Sequence, residues 1–194
     1  MKTPRLAPTE LATLSLAALE NGKGLLDDAQ LLLANGRSAR AYSLAALALE
    51  EYAKHVMALS AIGRTISEPG YWPRFWRRFR DHSEKIDLGK MMVSEWGLSL
   101  VYTDQRLEAD VKAALLRKTR GLYVDWTDGG LSLPNEAVTA SQASELIQEV
   151  RAWIEVARIV FDGATAEQLA RIMSSPEIRE RMAQLGRLST PHGG

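Results

Sequence analysis

Apolar residues recur along most of this chain at spacings of three and four, which predicts helices rather than strands. A first helix is predicted from Pro8 to Ala34, with Gly22 and Gly24 as weak points where it bends or breaks. A second is predicted from Ser38 to Ile62, where small and apolar residues form one stripe: Tyr42, Ala45, Ala46, Leu49, Ala53, Val56, Met57 and Ser60.

The second half of the chain continues this pattern with one interruption. A third helix is predicted from about Pro73 to Tyr102 and a fourth from Asp104 to Arg120. Residues 121–138 break the pattern, since Asp128-Gly129-Gly130 favours a turn and residues 123–126 an extended piece. A fifth helix follows to Phe161, and Thr139 with Gln142 has the spacing of a capping box. Thr165 with Gln168 repeats that spacing before a short helix, and Ser175-Pro176 opens another.

These elements predict an all-α protein, an up-and-down helical bundle with short C-terminal helices. The predicted division is a main bundle over 1–163, a short helical appendage over 164–188 and a flexible tail over 189–194.

Composition narrows the class of protein. The 24 Lys and Arg residues balance 24 Asp and Glu residues, so a basic coat for nucleic acid is excluded and any such binding is local. With no cysteine, disulfides, thiolate metal sites and cysteine nucleophiles are excluded. No apolar run is long enough to span a membrane. We expect a cytoplasmic protein without a membrane contact.

The segment from Tyr71 to His82 concentrates arginines and aromatic residues around one of three histidines. On a continuous helix Phe75, Phe79, His82 and Ile86 share an inward face, with Arg77 and Arg78 beside them. This grouping suits the handling of a phosphate or an RNA 2′-hydroxyl, and Trp72 and Trp76 are candidate exposed platforms. The alternative is a buried structural histidine next to a solvated basic turn.

The second helix carries an acidic cluster in an apolar setting. Glu50 falls close to the core stripe and therefore needs a cationic partner, while Lys54 has the spacing of an i, i+4 ion pair with it. The candidate partners are Arg77, Arg78, Lys85, Lys118 and Arg120. Glu51 and His55 are too few ligands for a metal, so neither a metal nor another cofactor is expected.

Three segments taken in order resemble the AbiV family of bacterial abortive-infection proteins: residues 41–54 (AYSLAALALEEYAK), 79–85 (FRDHSEK) and 118–126 (KTRGLYVDW). The resemblance covers roughly residues 10 to 163. It implies a relation to the HEPN superfamily of helical bundles, many of which are dimeric, metal-independent ribonucleases of antiviral systems. Their usual motif places an arginine and a polar residue about one helical turn before a histidine. Here Arg77 and His82 have this spacing, but Arg78 stands where Asn, Asp or His is usual.

The resemblance implies roles for particular residues. His82 is the general acid or base, with Arg77 or Arg78 stabilising charge on phosphorus. Lys85 holds a flanking phosphate, and Glu50 orients an arginine or lysine. The remaining candidates form the binding surface: Glu51, Lys54, Arg120, Tyr123 and Asp125.

Alternative functions remain open at this point. The first is an antiphage effector that cuts or binds RNA; the second is a non-catalytic interaction or nucleotide-sensing module built on a buried polar network. Whether the chain is an enzyme is therefore undecided. The expected partners are a second copy of the chain, meeting through Trp72 and Trp76, and RNA or a phage-derived protein.

Overall fold

The computed structural model describes residues 3–63, 69–85, 104–127 and 129–180, with only the backbone described for 104–111. The helices are α1 (Pro8–Ala34), α2 (Ser38–Gly63), α3 (Tyr71–Arg80), α4 (Asp104–Arg120), α5 (Pro134–Ala137), α6 (Ala140–Phe161) and α7 (Ala166–Met173). Residues 82–85 and 176–180 are also helical. Strands β1 (Asp125–Thr127) and β2 (Gly130–Ser132) form an antiparallel hairpin in which Trp126 pairs with Leu131. The predicted all-α helical bundle is confirmed.

Helix α2 is the centre of the bundle because it packs against α1, α4, α6 and α7. Its alanines, many of them fully buried, let neighbouring helices come close. One core cluster joins its first half to α1 and α6. A second cluster joins its last turns to the start of α1, to α3 and to α7. Both clusters bury apolar surface along one helix, so α2 fixes where the other helices lie.

Helix α1 is continuous, so the predicted break at Gly22 and Gly24 is wrong. Gly22 is buried, and a Cβ atom there would lie 3.3 Å from the carbonyl oxygen of Ala48. The glycine therefore gives α2 room to approach, and the packing compensates for its low helix propensity.

The third predicted helix is shorter than expected. Helix α3 ends at Arg80, and Asp81 is extended with a ψ of 125°. The Asp81 carboxylate accepts a hydrogen bond from the backbone N–H of Glu84 at 3.0 Å, which caps the helical turn of residues 82–85. A new helix start thus replaces the predicted continuation; residues 86–103, including Ile86, lie outside the described residues.

The tryptophans of α3 are used within the chain. Trp72 is 5% exposed in the second core cluster, so its predicted role as an exposed platform or dimer contact is wrong. Trp76 is half-buried, and its indole N–H donates to the carbonyl oxygen of Pro4 at 2.8 Å. The N-terminal segment is thereby tied to α3.

Both predicted capping boxes are confirmed. The Thr139 hydroxyl accepts from the Gln142 backbone N–H, and the Gln142 side chain accepts in return. Thr165 and Gln168 do the same at the start of α7. Leu169 of α7 is buried in the second core cluster; the predicted division into bundle and appendage remains a prediction. Among the described helices none is sufficiently long and apolar to cross a membrane.

The C-terminal end of α4 packs very closely on the first turns of α2. A Cβ atom on Gly121 would lie 2.6 Å from both the Ala39 carbonyl oxygen and the Ser43 hydroxyl oxygen. The buried Ser43 hydroxyl in turn lies 2.9 Å from the carbonyl oxygen of Lys118. Only glycine fits at this contact, which we call the α4 anchor: Ala39, Ser43, Lys118 and Gly121.

We expect Gly121→Ala to lower the free energy of unfolding by about 1–3 kcal/mol, because backbone atoms must move to admit the methyl group. Gly24→Ala is the matched control, since nothing lies within 4 Å of a Cβ there and α1 is helical throughout. The control should be neutral or stabilising by up to about 1 kcal/mol. Urea unfolding of both variants measures the difference; equal stabilities would contradict the close contact.

Candidate functional site

A buried carboxylate in the middle of α2 lies at the centre of the candidate site. Glu50 is 2% exposed, and both of its oxygens receive donors. Lys118 Nζ lies 2.6 Å from Oε1, while Lys85 Nζ lies 2.9 Å and His82 Nδ1 2.6 Å from Oε2. These four residues are called the Glu50 cluster below.

Three separate segments supply the cluster, and each is fixed locally. Lys118 comes from the last turn of α4, which the α4 anchor holds against α2. His82 and Lys85 come from the turn of residues 82–85, which Asp81 caps. The expectation that Glu50 needs a cationic partner is confirmed, with Lys85 and Lys118 chosen from the five candidates.

The carboxylate is ionised despite its burial. Desolvation raises the pKa of Glu50, but hydrogen bonds from Lys118, Lys85 and His82, together with the charge of Lys118, outweigh it. The net result is a pKa below the ordinary value for glutamate. Lys85 is 3% exposed and Lys118 9% exposed, and within the part of the chain that the structure describes Glu50 is the carboxylate that both ammonium groups contact.

The contacts of His82 favour one tautomer. An ionised carboxylate only accepts, whereas the ammonium of Lys118, 3.3 Å from the same Nδ1, only donates. The two contacts make opposite demands on Nδ1, and we assign the proton to the shorter one. Nδ1–H then donates to Glu50, so a neutral imidazole carries its lone pair on Nε2.

The side chain of His82 is 60% exposed. The predicted inward position beside Phe75 and Phe79 is therefore wrong: Phe75 is buried, Phe79 is half-buried, and the break at Asp81 turns His82 toward Glu50. Because Nδ1 is anchored on Glu50 and the ring is exposed, Nε2 can accept or donate a proton at a fixed place on the surface.

The two candidate arginines lie in the last turn of α3, and both are exposed. Arg78 Nε lies 2.5 Å from the carboxylate of Glu84, which directs its guanidinium toward that side chain. Described contacts do not tie Arg77 to Glu84 in this way.

Glu51 and Lys54 form a second ion pair on α2, in direct contact. The predicted pairing of Lys54 with Glu50 is therefore wrong, because Glu50 faces the interior and Glu51 is closer to the surface. Lys54 Nζ also lies 5.6 Å from the centre of the Phe79 ring, which links α2 to α3.

The last predicted binding residues lie at and beyond the end of α4. Arg120 is half-buried, Tyr123 is 63% exposed, and Asp125 is exposed and accepts from the backbone N–H of Trp126. Among the described contacts none joins these three residues to the Glu50 cluster. Their binding role stays a prediction.

His55 has the opposite environment from His82. It is 1% exposed, its Nδ1 lies 2.8 Å from the Ser15 hydroxyl, and its ring packs against Phe161. Desolvation lowers the pKa of His55 to about 4, so it is neutral at physiological pH. Within the described part of the chain no group of three or more potential ligands could hold a metal.

Two features of the site were missed by sequence reasoning. Asp81 followed by Glu84 has N-capping spacing, a signal that could have located the new helix start. The α4 anchor had no comparable signal, because Ser43 and Gly121 are far apart in the chain and ordinary in their local contexts.

The structure thus defines an all-α bundle in which a buried carboxylate on the central helix holds an exposed histidine. The family model HEPN_AbiV, described as AbiV, matches residues 10–155. The chain therefore belongs to the AbiV family, which indicates a role in abortive infection, a form of antiphage defence. No curated protein and no solved structure matches the chain.

Glu50→Gln should lower the free energy of unfolding by about 3–5 kcal/mol, because it leaves two buried ammonium groups facing an amide that has its own donors. Glu51→Gln, the same change one residue away, removes a more exposed pair and should cost about 1 kcal/mol or less. Urea unfolding compares the two. A Glu50→Gln protein as stable as the Glu51→Gln protein would mean that the cluster is not the counter-charge we describe.

Proposed function

We propose that this chain is an abortive-infection effector that cuts RNA, with His82 as the proton-transfer group. One observation carries the proposal: His82 is exposed and yet held in place. Its side chain is 60% exposed, and its Nδ1 lies 2.6 Å from the buried carboxylate of Glu50. A histidine that serves packing alone is buried, as His55 is. Membership of the AbiV family supports the defence role.

The chemistry follows from the tautomer. His82 Nε2 accepts the proton of an RNA 2′-hydroxyl, and the 2′-oxygen attacks the adjacent phosphorus. The bond from phosphorus to the 5′-oxygen breaks, and water supplies the proton that this oxygen takes up. The hydroxide that remains takes the proton from Nε2, which restores water and the neutral imidazole. The products are a 2′,3′-cyclic phosphate and a 5′-hydroxyl. Glu50 acts as the positioning residue, since it orients the ring and stabilises the imidazolium that forms.

A cationic group is needed beside the phosphorus, where negative charge increases in the transition state. We assign this role to Arg77, because it is exposed in the last turn of α3, five residues before His82 in the chain, whereas Arg78 contacts Glu84. Lys85 is buried on Glu50, so we assign it to the Glu50 cluster rather than to a flanking phosphate.

A non-catalytic module is the second candidate, and one observation favours it. The Glu50 cluster cross-links α2, α4 and the turn of residues 82–85 through buried charges, which is what a network that specifies one packing arrangement requires. In that case His82 contributes one hydrogen bond at the rim and no proton transfer.

His82→Asn separates the two candidates. The asparagine amide can still donate to Glu50 from near the position of Nδ1, but it has no nitrogen able to accept a proton. We expect the variant to remain folded, to lose growth arrest on induced expression in bacteria, and to cleave RNA at least about 100-fold more slowly. Cleavage is measured with purified protein in EDTA, since the proposed chemistry uses no metal ion.

Ser83→Ala is the matched control, because Ser83 is exposed on the same turn. It should arrest growth and cleave RNA as the parent chain does. Growth arrest that survives in His82→Asn would favour the non-catalytic module, and cleavage that stops in EDTA would contradict the metal-independent reaction.

We also propose that the chain acts as a homodimer. Trp72 cannot supply the contact, but α6 carries three exposed apolar side chains at helical spacing: Val156, Ile159 and Val160, with exposures of 48%, 79% and 65%. An isologous contact through this face would remove them from water.

Light scattering at micromolar concentration should therefore give about twice the chain mass of 21.5 kDa. Ile159→Lys places a charge in the proposed contact and should give the mass of one chain, whereas Gln148→Lys, exposed elsewhere on α6, should not. A parent chain that is monomeric would contradict the dimer, and a dimeric Ile159→Lys protein would contradict the face.

A further inference from the structure

A cavity of about 530 Å³ lies between the start of α2 and the segment that contains α5 and the start of α6. Its volume is in the range of small-molecule sites. It shares no residue with the Glu50 cluster, so it is a separate feature of the molecule. The residues that line it come from 36–40, Val124 and 134–140.

The charged side chains that line the cavity are both positive. Arg37 and Arg40 line it, both with exposed side chains, and the described lining includes no carboxylate. In a chain whose acidic and basic residues balance, a described lining with two guanidinium groups and no carboxylate favours an anion. Guanidinium groups pair with carboxylate and with phosphate through two parallel hydrogen bonds. Two of them on one wall match the several negative charges of a phosphate chain better than the single charge of a carboxylate.

The rest of the lining suits the remainder of a ligand. Val124, Pro134 and Val138 provide apolar surface, while Asn135 and Thr139 provide neutral hydrogen-bonding groups. A phosphate with nothing attached would leave this surface unused and would occupy a small part of the volume. A planar, partly apolar group bearing phosphates would use both halves of the lining.

We infer that this cavity is a binding site for a phosphate-bearing small molecule of the nucleotide class. The arginines hold the phosphates, and the apolar and amide side chains contact the rest of the ligand. The site goes beyond the proposed RNA cleavage and does not depend on it, since its residues take no part in that chemistry.

Calorimetric titration of the full chain with ATP, GTP, CTP and UTP, each measured separately, tests the inference. At least one triphosphate should bind saturably, and the corresponding nucleoside at least about tenfold more weakly, because it lacks the charge-assisted contacts. The double variant Arg37→Gln, Arg40→Gln should weaken binding of that triphosphate at least about tenfold. Arg158→Gln, an exposed arginine on α6 outside the cavity, is the matched control and should bind as the parent does.

Ala140→Trp provides a test that does not alter charge. Ala140 is an exposed lining residue at the start of α6, and an indole there would occupy the cavity. We expect it to abolish binding while circular dichroism stays helical. The inference is overturned if no triphosphate binds, if both the arginine and Ala140 variants bind normally, or if the nucleoside binds as tightly as its triphosphate. Preferential binding of a short single-stranded RNA would assign the arginines to a nucleic-acid surface and would also overturn it.

Discussion

The structure of this protein depends on one constraint: the negative charge of a carboxylate buried in the central helix must be balanced by donors that lie next to it. Glu50 cannot reach water, and its pKa lies below the ordinary value because three donors come to it. Those donors lie on α4 and on the turn of residues 82–85, so both segments must dock against α2 at defined places. Apolar packing brings the helices together, and the carboxylate requires that cationic side chains lie at this point of α2.

The local rules of the chain predicted much of the fold. Helical spacing located most helices, and two Thr–Gln pairs located two helix starts within a residue. The need of Glu50 for a cation was also readable, because burial of a lone charge is costly in any fold. Each of these inferences rests on residues within one or two helical turns of each other.

The features that could not be predicted depended on a choice between two local structures or on contacts between residues far apart in the chain. Asp81 can continue a helix or cap a new one. In the structure it caps a new one, because its carboxylate accepts a hydrogen bond from the backbone N–H of Glu84. Trp72 has the composition of a surface platform, but the second core cluster covers it. Five cations were equally plausible partners for Glu50, and the close packing at Gly121, between segments far apart in the chain, helps to place Lys118 within reach.

The Glu50 cluster also has a consequence for how relatives of this chain can vary. Replacing Glu50 alone removes the carboxylate that both buried ammonium groups contact, and replacing either lysine leaves that carboxylate with one cation fewer. Each single substitution therefore gives a less stable protein, even if the final combination of residues is stable. Across the family these positions should be inherited together or exchanged together, so that a lineage lacking the glutamate also lacks both lysines.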